Sequence, residues 1–315
     1  MVTGGLGYVG QSLSYMLQEQ GHFVVAIDNR GVDSQVLNLT VLRGDIQQRS
    51  LWQHLFSQYE VEAIYHCAGL IVVSESVRDP APYFQQNVVA GIGMLDAIRE
   101  YATDIPLIFS SSAAVYGTPL QVPVGESAAK QPLSPYGITK WQFEEILQAY
   151  SHAYGMPWVA LRYFNVAGRV GPVNERHQPE THLLPRVAQA VLDNVPPIIY
   201  GSDYPTPDGT AIRDYIHMKD LTAAHFLAWN YLRTGGESRA FNVGSGHGHS
   251  VLEVIQGFER ILGRDVPVVF SDRRAGDPAV LVAAIDEAVA TLNYVPHHSH
   301  QIDSMVQDAW DSCRA

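Results

Sequence analysis

Thr3-Gly4-Gly5-Leu6-Gly7-Tyr8-Val9-Gly10 sets three glycines, Gly4, Gly7 and Gly10, at G-x-x-G-x-x-G spacing. Leu13, Met16 and Leu17 follow at helical spacing, and Gly21 stops that helix. A strand entering a glycine turn and leaving as a helix is built to meet a pyrophosphate. Gly4 permits the tight turn, Gly7 lets backbone amides approach the phosphates, and Gly10 lets the helix pack close to the sheet. The helix then points its positive dipole end at the anion. The next apolar run, Val24-Val25-Ala26-Ile27-Asp28, ends in a carboxylate at the distance where ribose hydroxyls are read. Asp28 accepts hydrogen bonds from those hydroxyls and repels a 2′-phosphate, so the expected cofactor is NAD rather than NADP. Asp45, after Val41-Leu42 and Gly44, is expected to cap the adenine pocket. Only Met1 and Val2 precede the loop, whereas a strand usually has about 5–6 residues, so the first strand is expected to extend before Met1.

Outward from the loop, apolar runs alternate with helical segments. Residues 63–69, 107–110 and 158–165 read as buried strands. Continuous apolar strands separated by helices mean a parallel sheet covered on both faces. Right-handed crossovers make it doubly wound. The fold expected is α/β: a doubly wound parallel (Rossmann) sheet with a smaller C-terminal α/β substrate domain. The dinucleotide-binding part spans 1–165 and the substrate-binding part mainly 166–315, with some segments returning to the first. In the second part Pro and Gly cluster at 168–179 and 196–209. Two amphipathic stretches, His182–Leu192 and Val251–Leu262, interrupt the loops.

The chain has 315 residues, 46% hydrophobic and 17% charged, which supports a sizeable core. A net charge of −12 argues against a nucleic-acid partner. An anionic substrate then needs local Arg or Lys. Cys67 and Cys313 form neither a disulfide scaffold nor a zinc site, which points to a reducing, cytoplasmic setting. No apolar run reaches the roughly 20 residues that span a membrane, and no signal peptide is visible. His297-His298-Ser299-His300 lacks a carboxylate or Cys at ligand spacing and reads as a solvated loop, so no metal is expected. His66, at the end of an apolar strand, reads as a satisfied core histidine.

Ser110-Ser111-Ser112 follows a strand, and Tyr136-Gly137-Ile138-Thr139-Lys140 opens a helix. Tyr136 and Lys140 are at i and i+4 and share a face. A free Tyr, with a pKa near 10, is too weakly acidic to act as a base at neutral pH. A nearby ammonium and a cationic nicotinamide ring favour the phenolate. Ser112 can hydrogen-bond and orient the reacting hydroxyl.

With these motifs together, the chain resembles the extended short-chain dehydrogenase/reductase superfamily and, within it, the UDP-glucose 4-epimerases. The most specific block is Asp203–His217, which contains Arg213-Asp214-Tyr215. The resemblance implies catalysis by Ser112, Tyr136 and Lys140. It implies an NAD site lined by Gly4, Gly7, Tyr8, Val9, Gly10, Asp28, Asn29, Asp45, Ile46, Ala68, Asn87, Ser110, Tyr136, Lys140 and Tyr163. It assigns the UDP-sugar to Ser112, Asn165, His182, Leu183, Tyr200, Arg213, Tyr215, Arg274 and Asp277, and implies a homodimer through the helices over 82–101 and 135–154.

The hydrogen at C4 of a hexose is not acidic, so inversion there requires transient oxidation to a 4-keto sugar and return of the hydride to the opposite face. Departures from the family pattern include a shortened segment after Gly168 and Ile71 where some members have Lys. Leu281 stands at the position that gates sugar size and favours a plain hexose. N-acetylhexosamine or pentose substrates are the alternatives. A 4,6-dehydratase is disfavoured because Ala113 and Ala114 replace the acidic pair after the Ser/Thr position. A non-catalytic NAD-sensing module is disfavoured because Tyr136 and Lys140 are both present.

Overall fold

A computed structural model describes residues 1–31, 33–101, 103–175, 180–274 and 277–314. β1 (Val2–Thr3) enters the glycine turn and α1 (Tyr8–Glu19) leaves it. Then come β2 (Val25–Asp28), β3 (Thr40–Arg43), α2 (Arg49–Gln58), β4 (Ile64–His66), α3 (Val73–Arg78) and α4 (Ala81–Phe84). A π-helical turn, Gln85–Val89, joins α4 to α5 (Ala90–Tyr101). β5 (Leu107–Ser112), α6 (Pro135–Tyr154) and β6 (Trp158–Tyr163) complete the first half. The second half runs β7 (Asn165–Ala167), α7 (Leu183–Leu192), β8 (Ile198–Tyr200), β9 (Ile212–His217), α8 (Met218–Arg233) and β10 (Arg239–Val243). It ends with β11 (Gly248–Ser250), α9 (Val251–Leu262), β12 (Val269–Ser271), β13 (Val280–Leu281), α10 (Asp286–Leu292) and α11 (Ile302–Arg314).

Seven strands form one parallel sheet in the order β10-β6-β5-β4-β1-β2-β3. The order reverses beside β1, where its neighbours are β2 and β4, and such a switch point opens a crevice at the carboxyl ends of the strands. Strands of Val, Ile, Leu and Phe must be covered on both faces. Leu13 and Leu17 of α1 and Leu221 and Trp229 of α8 cover one face. Trp52 and Leu55 of α2, Met94 of α5 and Phe143 and Leu147 of α6 cover the other. A fully buried aromatic such as Phe143 contributes about 3–5 kcal/mol against its Ala variant.

The second unit pairs β11, β9 and β13, with β7 also against β9, and a separate β8–β12 ribbon. Its own core gathers Leu184 and Val187 of α7, Val254 and Phe258 of α9, and Met305 and Val306 of α11. The amphipathic stretches expected at 182–192 and 251–262 are α7 and α9. Ser250 caps α9 reciprocally with Glu253, and Gly263, at φ 64°, ends it.

One sequence expectation needs correction. The run 158–165 is not one strand: β6 stays in the large sheet, and after Phe164 the chain enters the second unit as β7. Later in the chain α8 and β10 return to the large sheet, where β10 pairs with β6 at the edge. The apolar periodicity of 218–243 looks the same whichever sheet it covers. The His-rich tail is docked through Ser299, which is buried against the Asp220 carboxylate and accepts from the His217 amide, while His297, His298 and His300 are exposed.

Candidate active site

The glycine loop sits at the switch point. Gly4 adopts φ 66°, and a Cβ there would lie 2.6 Å from Ala68 N; one on Gly10 would lie 2.3 Å from Gly4 O. Neither glycine can carry a side chain without moving backbone. Gly7 caps α1 with no side-chain hydrogen bond, and no acid stands in the first turn. The first amides of α1 and its positive end are therefore offered outward, and Val9 beside them is partly exposed. This open helix end, cradled by glycines, fits a dinucleotide pyrophosphate. Asp28, at the end of β2, is buried and accepts from Leu6 N at 2.9 Å and Arg30 N at 3.0 Å. Burial pushes its pKa up, but the hydrogen bonds from Arg30 and Leu6 outweigh that and hold it below the usual carboxylate range. Asn29 is exposed beside it. Asp45 accepts from Gln47 N at 3.0 Å, and the Ile46 carbonyl accepts from Trp52 Nε1 at 2.8 Å, anchoring the start of α2. Tyr8 donates to the Gly168 carbonyl, tying the loop to the second unit.

Ser112 ends β5 and Tyr136 opens α6. The helix starts there because Ser134 caps the Gly137 amide at 3.2 Å and Pro135 takes the first helical position. The Ser112 side chain lies beside the Tyr136 phenol and acts to lower its pKa. One turn on, Lys140 is 3% exposed, donates to Ser110 O at 2.8 Å and sits 5.8 Å from the Tyr136 ring centroid. Burial lowers the Lys140 pKa to about 8, opposed by Cys67 and Glu144. Burial also raises the Tyr136 pKa, more than the Ser112 hydrogen bond lowers it. The protein alone thus holds Tyr136 as the phenol, and the lowering expected from Lys140 needs further positive charge beside the ring.

Tyr163 lies at the end of β6, its Oη 2.7 Å from Ser110 Oγ and 2.5 Å from His225 Nε2. Leu221 O, 2.8 Å from His225 Nδ1, can only accept, so His225 carries its proton on Nδ1 and takes the Tyr163 proton at Nε2. Asn87 is spent on structure: its amide holds Leu70 N at 2.7 Å, Leu70 O at 3.0 Å and Thr139 Oγ1 at 3.0 Å. It shapes the Ala68–Leu70 loop rather than presenting a free amide. His66 meets Thr3 Oγ1 at 2.7 Å inside the core, and burial lowers its pKa to about 3, as a satisfied core histidine requires.

The second unit carries its own cations. Arg213 on β9 lies 3.8 Å from Asp277, and Arg274 stacks 4.1 Å over the Tyr200 ring. Hydrogen bonding from Arg186 and Arg274 lowers the Tyr200 pKa. Asn165 is exposed at the start of β7, and Leu183 opens α7 with His182 as its cap. His182 contacts Glu175, and that carboxylate outweighs burial to raise the histidine's pKa. The Tyr215 ring packs in the second core and the residue is 2% exposed, beside Arg213 on β9. Leu281, on β13, pairs in register with Arg213.

Residues 1–244 match the family described as NAD dependent epimerase/dehydratase. The chain belongs to that family. It is 40% identical to a UDP-glucose 4-epimerase from Lacticaseibacillus casei, over 98% of this chain and 95% of that one. The solved UDP-glucose 4-epimerase from Brucella ovis, in complex with NAD, superposes with a TM-score of 0.94 at 41% identity, covering 99% of this chain and 97% of that one. The enzyme from Bifidobacterium longum, in complex with NAD+ and UDP, gives 0.89 at 32% identity over 99% and 97% of the two chains.

Behind the epimerase/dehydratase site lies a network that the sequence reading did not single out. Arg162 of β6 donates to Glu144 of α6 at 2.6 Å and to Tyr116 Oη at 2.8 Å, and Tyr116 donates to Asn242 of β10 at 2.7 Å. Ser111 also donates to Glu144. The pair is nearly inaccessible, so removing one partner would strand a buried charge, a loss of about 3–5 kcal/mol. Glu144 is four residues after Lys140, so the pair fixes the rotation of the helix that carries Tyr136 and Lys140. The Tyr136–Lys140–Glu144 spacing was visible; its partner on β6 was not. Asp214 does similar work in the second unit, accepting from Ser245 N at 2.7 Å, Gly246 N at 3.1 Å and Ala283 N at 3.1 Å.

Proposed function

We propose that this chain is a UDP-glucose 4-epimerase, interconverting UDP-glucose and UDP-galactose with NAD held by the glycine loop, Asp28 and the Tyr163–Lys140 corner. The observation that carries the reading is the placement of Tyr136, at the start of α6, beside Ser112, at the end of β5, with Lys140 one helical turn on. When bound there, NAD would supply hydride-transfer chemistry at C4. Tyr136 Oη takes the O4 proton and gives it back. Ser112 orients that hydroxyl. Lys140, charged below about pH 8, favours the phenolate as it forms. Arg213 and Arg274 hold the pyrophosphate, and Asn165, His182, Leu183, Tyr200 and Asp277 complete the nucleotide site. Binding energy belongs on the nucleotide because the sugar must turn over while its anchor stays fixed. Ala113 and Ala114 follow Ser112 directly, which leaves no acid and base there for elimination and supports epimerisation over dehydration.

Leu281 beside Arg213 supports a plain hexose. Free Cys67 and Cys313 support a reducing cytoplasmic setting, and among the described residues no helix is long and apolar enough to cross a membrane. The active species is a homodimer. The test is incubation with UDP-galactose and no added dinucleotide. UDP-glucose forms, and Tyr136→Phe lowers kcat by about 10²–10⁴-fold. Full activity in Tyr136→Phe would refute the assignment of the base.

A further inference from the structure

The proposed reaction makes no use of His225, a fully buried histidine on α8. Burial lowers its pKa to about 4, more than the Leu221 contact raises it, so the ring is neutral at physiological pH and carries one proton. That proton is on Nδ1, 2.8 Å from the Leu221 carbonyl, because a carbonyl only accepts. Nε2 is therefore an acceptor, and the group that meets it, at 2.5 Å, is the Tyr163 hydroxyl. A phenol has one proton. Once it is given to His225, the 2.7 Å contact between Tyr163 Oη and Ser110 Oγ must run the other way, with the serine donating. One backbone carbonyl thus sets the direction of every hydrogen bond from Leu221 to Ser110. Ser110 is also the residue whose own carbonyl receives Lys140 Nζ at 2.8 Å. Tyr163 stands at the site itself: it is partly exposed and is the register partner of Ser112, at the carboxyl ends of β6 and β5. The Tyr163 and Tyr65 rings lie 5.5 and 6.2 Å from the imidazole, so aromatic packing as well as hydrogen bonding holds it.

With its proton committed, the Tyr163 oxygen has only lone pairs to offer. We propose that His225 is a positioning residue for the hydride-transfer end of the dinucleotide: by taking the Tyr163 proton it presents Tyr163 Oη as a hydrogen-bond acceptor for the carboxamide N–H of the nicotinamide, and it ties that acceptor through Ser110 to Lys140. A tyrosine free to rotate its proton would serve a donor or an acceptor equally. A tyrosine locked as an acceptor favours the amide nitrogen over the carbonyl oxygen, and so selects which way round the carboxamide lies. The inference rests on the dinucleotide reading given above.

The probe is the acetylpyridine analogue of NAD+, in which a methyl group replaces the carboxamide NH2 and no N–H is left. The chain, freed of bound dinucleotide, is titrated calorimetrically with NAD+ and, separately, with the analogue. The wild-type chain should prefer NAD+ by about tenfold or more, the size of one hydrogen bond left unmade. His225→Phe frees the Tyr163 proton to serve the analogue's carbonyl, so the ratio of the two constants should fall to within about threefold. His225→Met should do the same, whereas His225→Gln, which can accept from Tyr163, should restore most of the wild-type ratio. Tyr163→Phe should also lower the ratio, and adding His225→Phe to it should change the ratio no further, because the two residues act as a unit. A merely structural role would weaken both dinucleotides alike. An unmoved ratio in His225→Phe and His225→Met, or a wild-type chain that does not prefer NAD+, overturns the proposal while leaving the dinucleotide reading intact. Failure of NAD+ itself to bind the wild-type chain would instead overturn that reading.

Discussion

Lys140 carries two opposing demands. Catalysis wants its charge beside Tyr136, whereas burial disfavours that charge and lowers the pKa from 10.5 to about 8. Between those values the unfolded chain binds the proton and the folded chain does not. Fold stability therefore rises with pH across that window, and the full burial cost, about 3 kcal/mol by the shift, is present below it. Activity should run the other way: kcat should fall along an alkaline limb at or just below pH 8 as the ammonium is lost. A kcat profile flat to pH 10 would remove Lys140 from the electrostatic role. At this scale the sequence was most legible. Tyr136, Lys140 and Ser112 were found because their spacing is local. Arg30 was passed over because an Arg two residues after a loop carboxylate looks like any surface cation.

Helices and strands that owe their form to local signals matched their reading closely. The loop–α1 unit, α6 with its Ser-Pro start, and α9 with its capping box are all encoded within a few residues. What the sequence could not show was long-range pairing. The switch of sheets after Phe164 and the return of β10 to the edge depend on partners some 80 residues away in sequence, Arg239 beside Val159 among them. The helices α5 and α6 pack on one side of the large sheet and keep apolar groups on their outer surface. Val89 of the preceding π-helical turn, Tyr101 and Tyr154 are exposed, and Arg99 stacks 5.0 Å over the Tyr154 ring. We propose that a homodimer, if formed, uses this pair of helices to complete a four-helix layer with a second copy. Light scattering after size exclusion should return twice the mass of the 34.7 kDa chain. Replacing Tyr154 and Val89 by Glu should shift it to the monomer. A wild-type monomer would refute the assignment.

At the scale of the whole molecule, the glycine loop at the switch point of the large sheet meets the second unit through Tyr8, which donates to the Gly168 carbonyl. An acidic chain of net charge −12 nonetheless carries Arg213 and Arg274 on its second unit, beside Asp277 and Tyr200. That division assigns redox chemistry to one body and anchoring to the other, and it implies that the hydrogen at C4 never reaches solvent. The direct test is UDP-galactose carrying deuterium at C4, incubated with the purified protein in ordinary water. The account predicts UDP-glucose that retains the deuterium at C4 with inverted configuration. UDP-glucose in which solvent hydrogen has replaced that deuterium would contradict hydride return from a bound dinucleotide and, with it, the central claim.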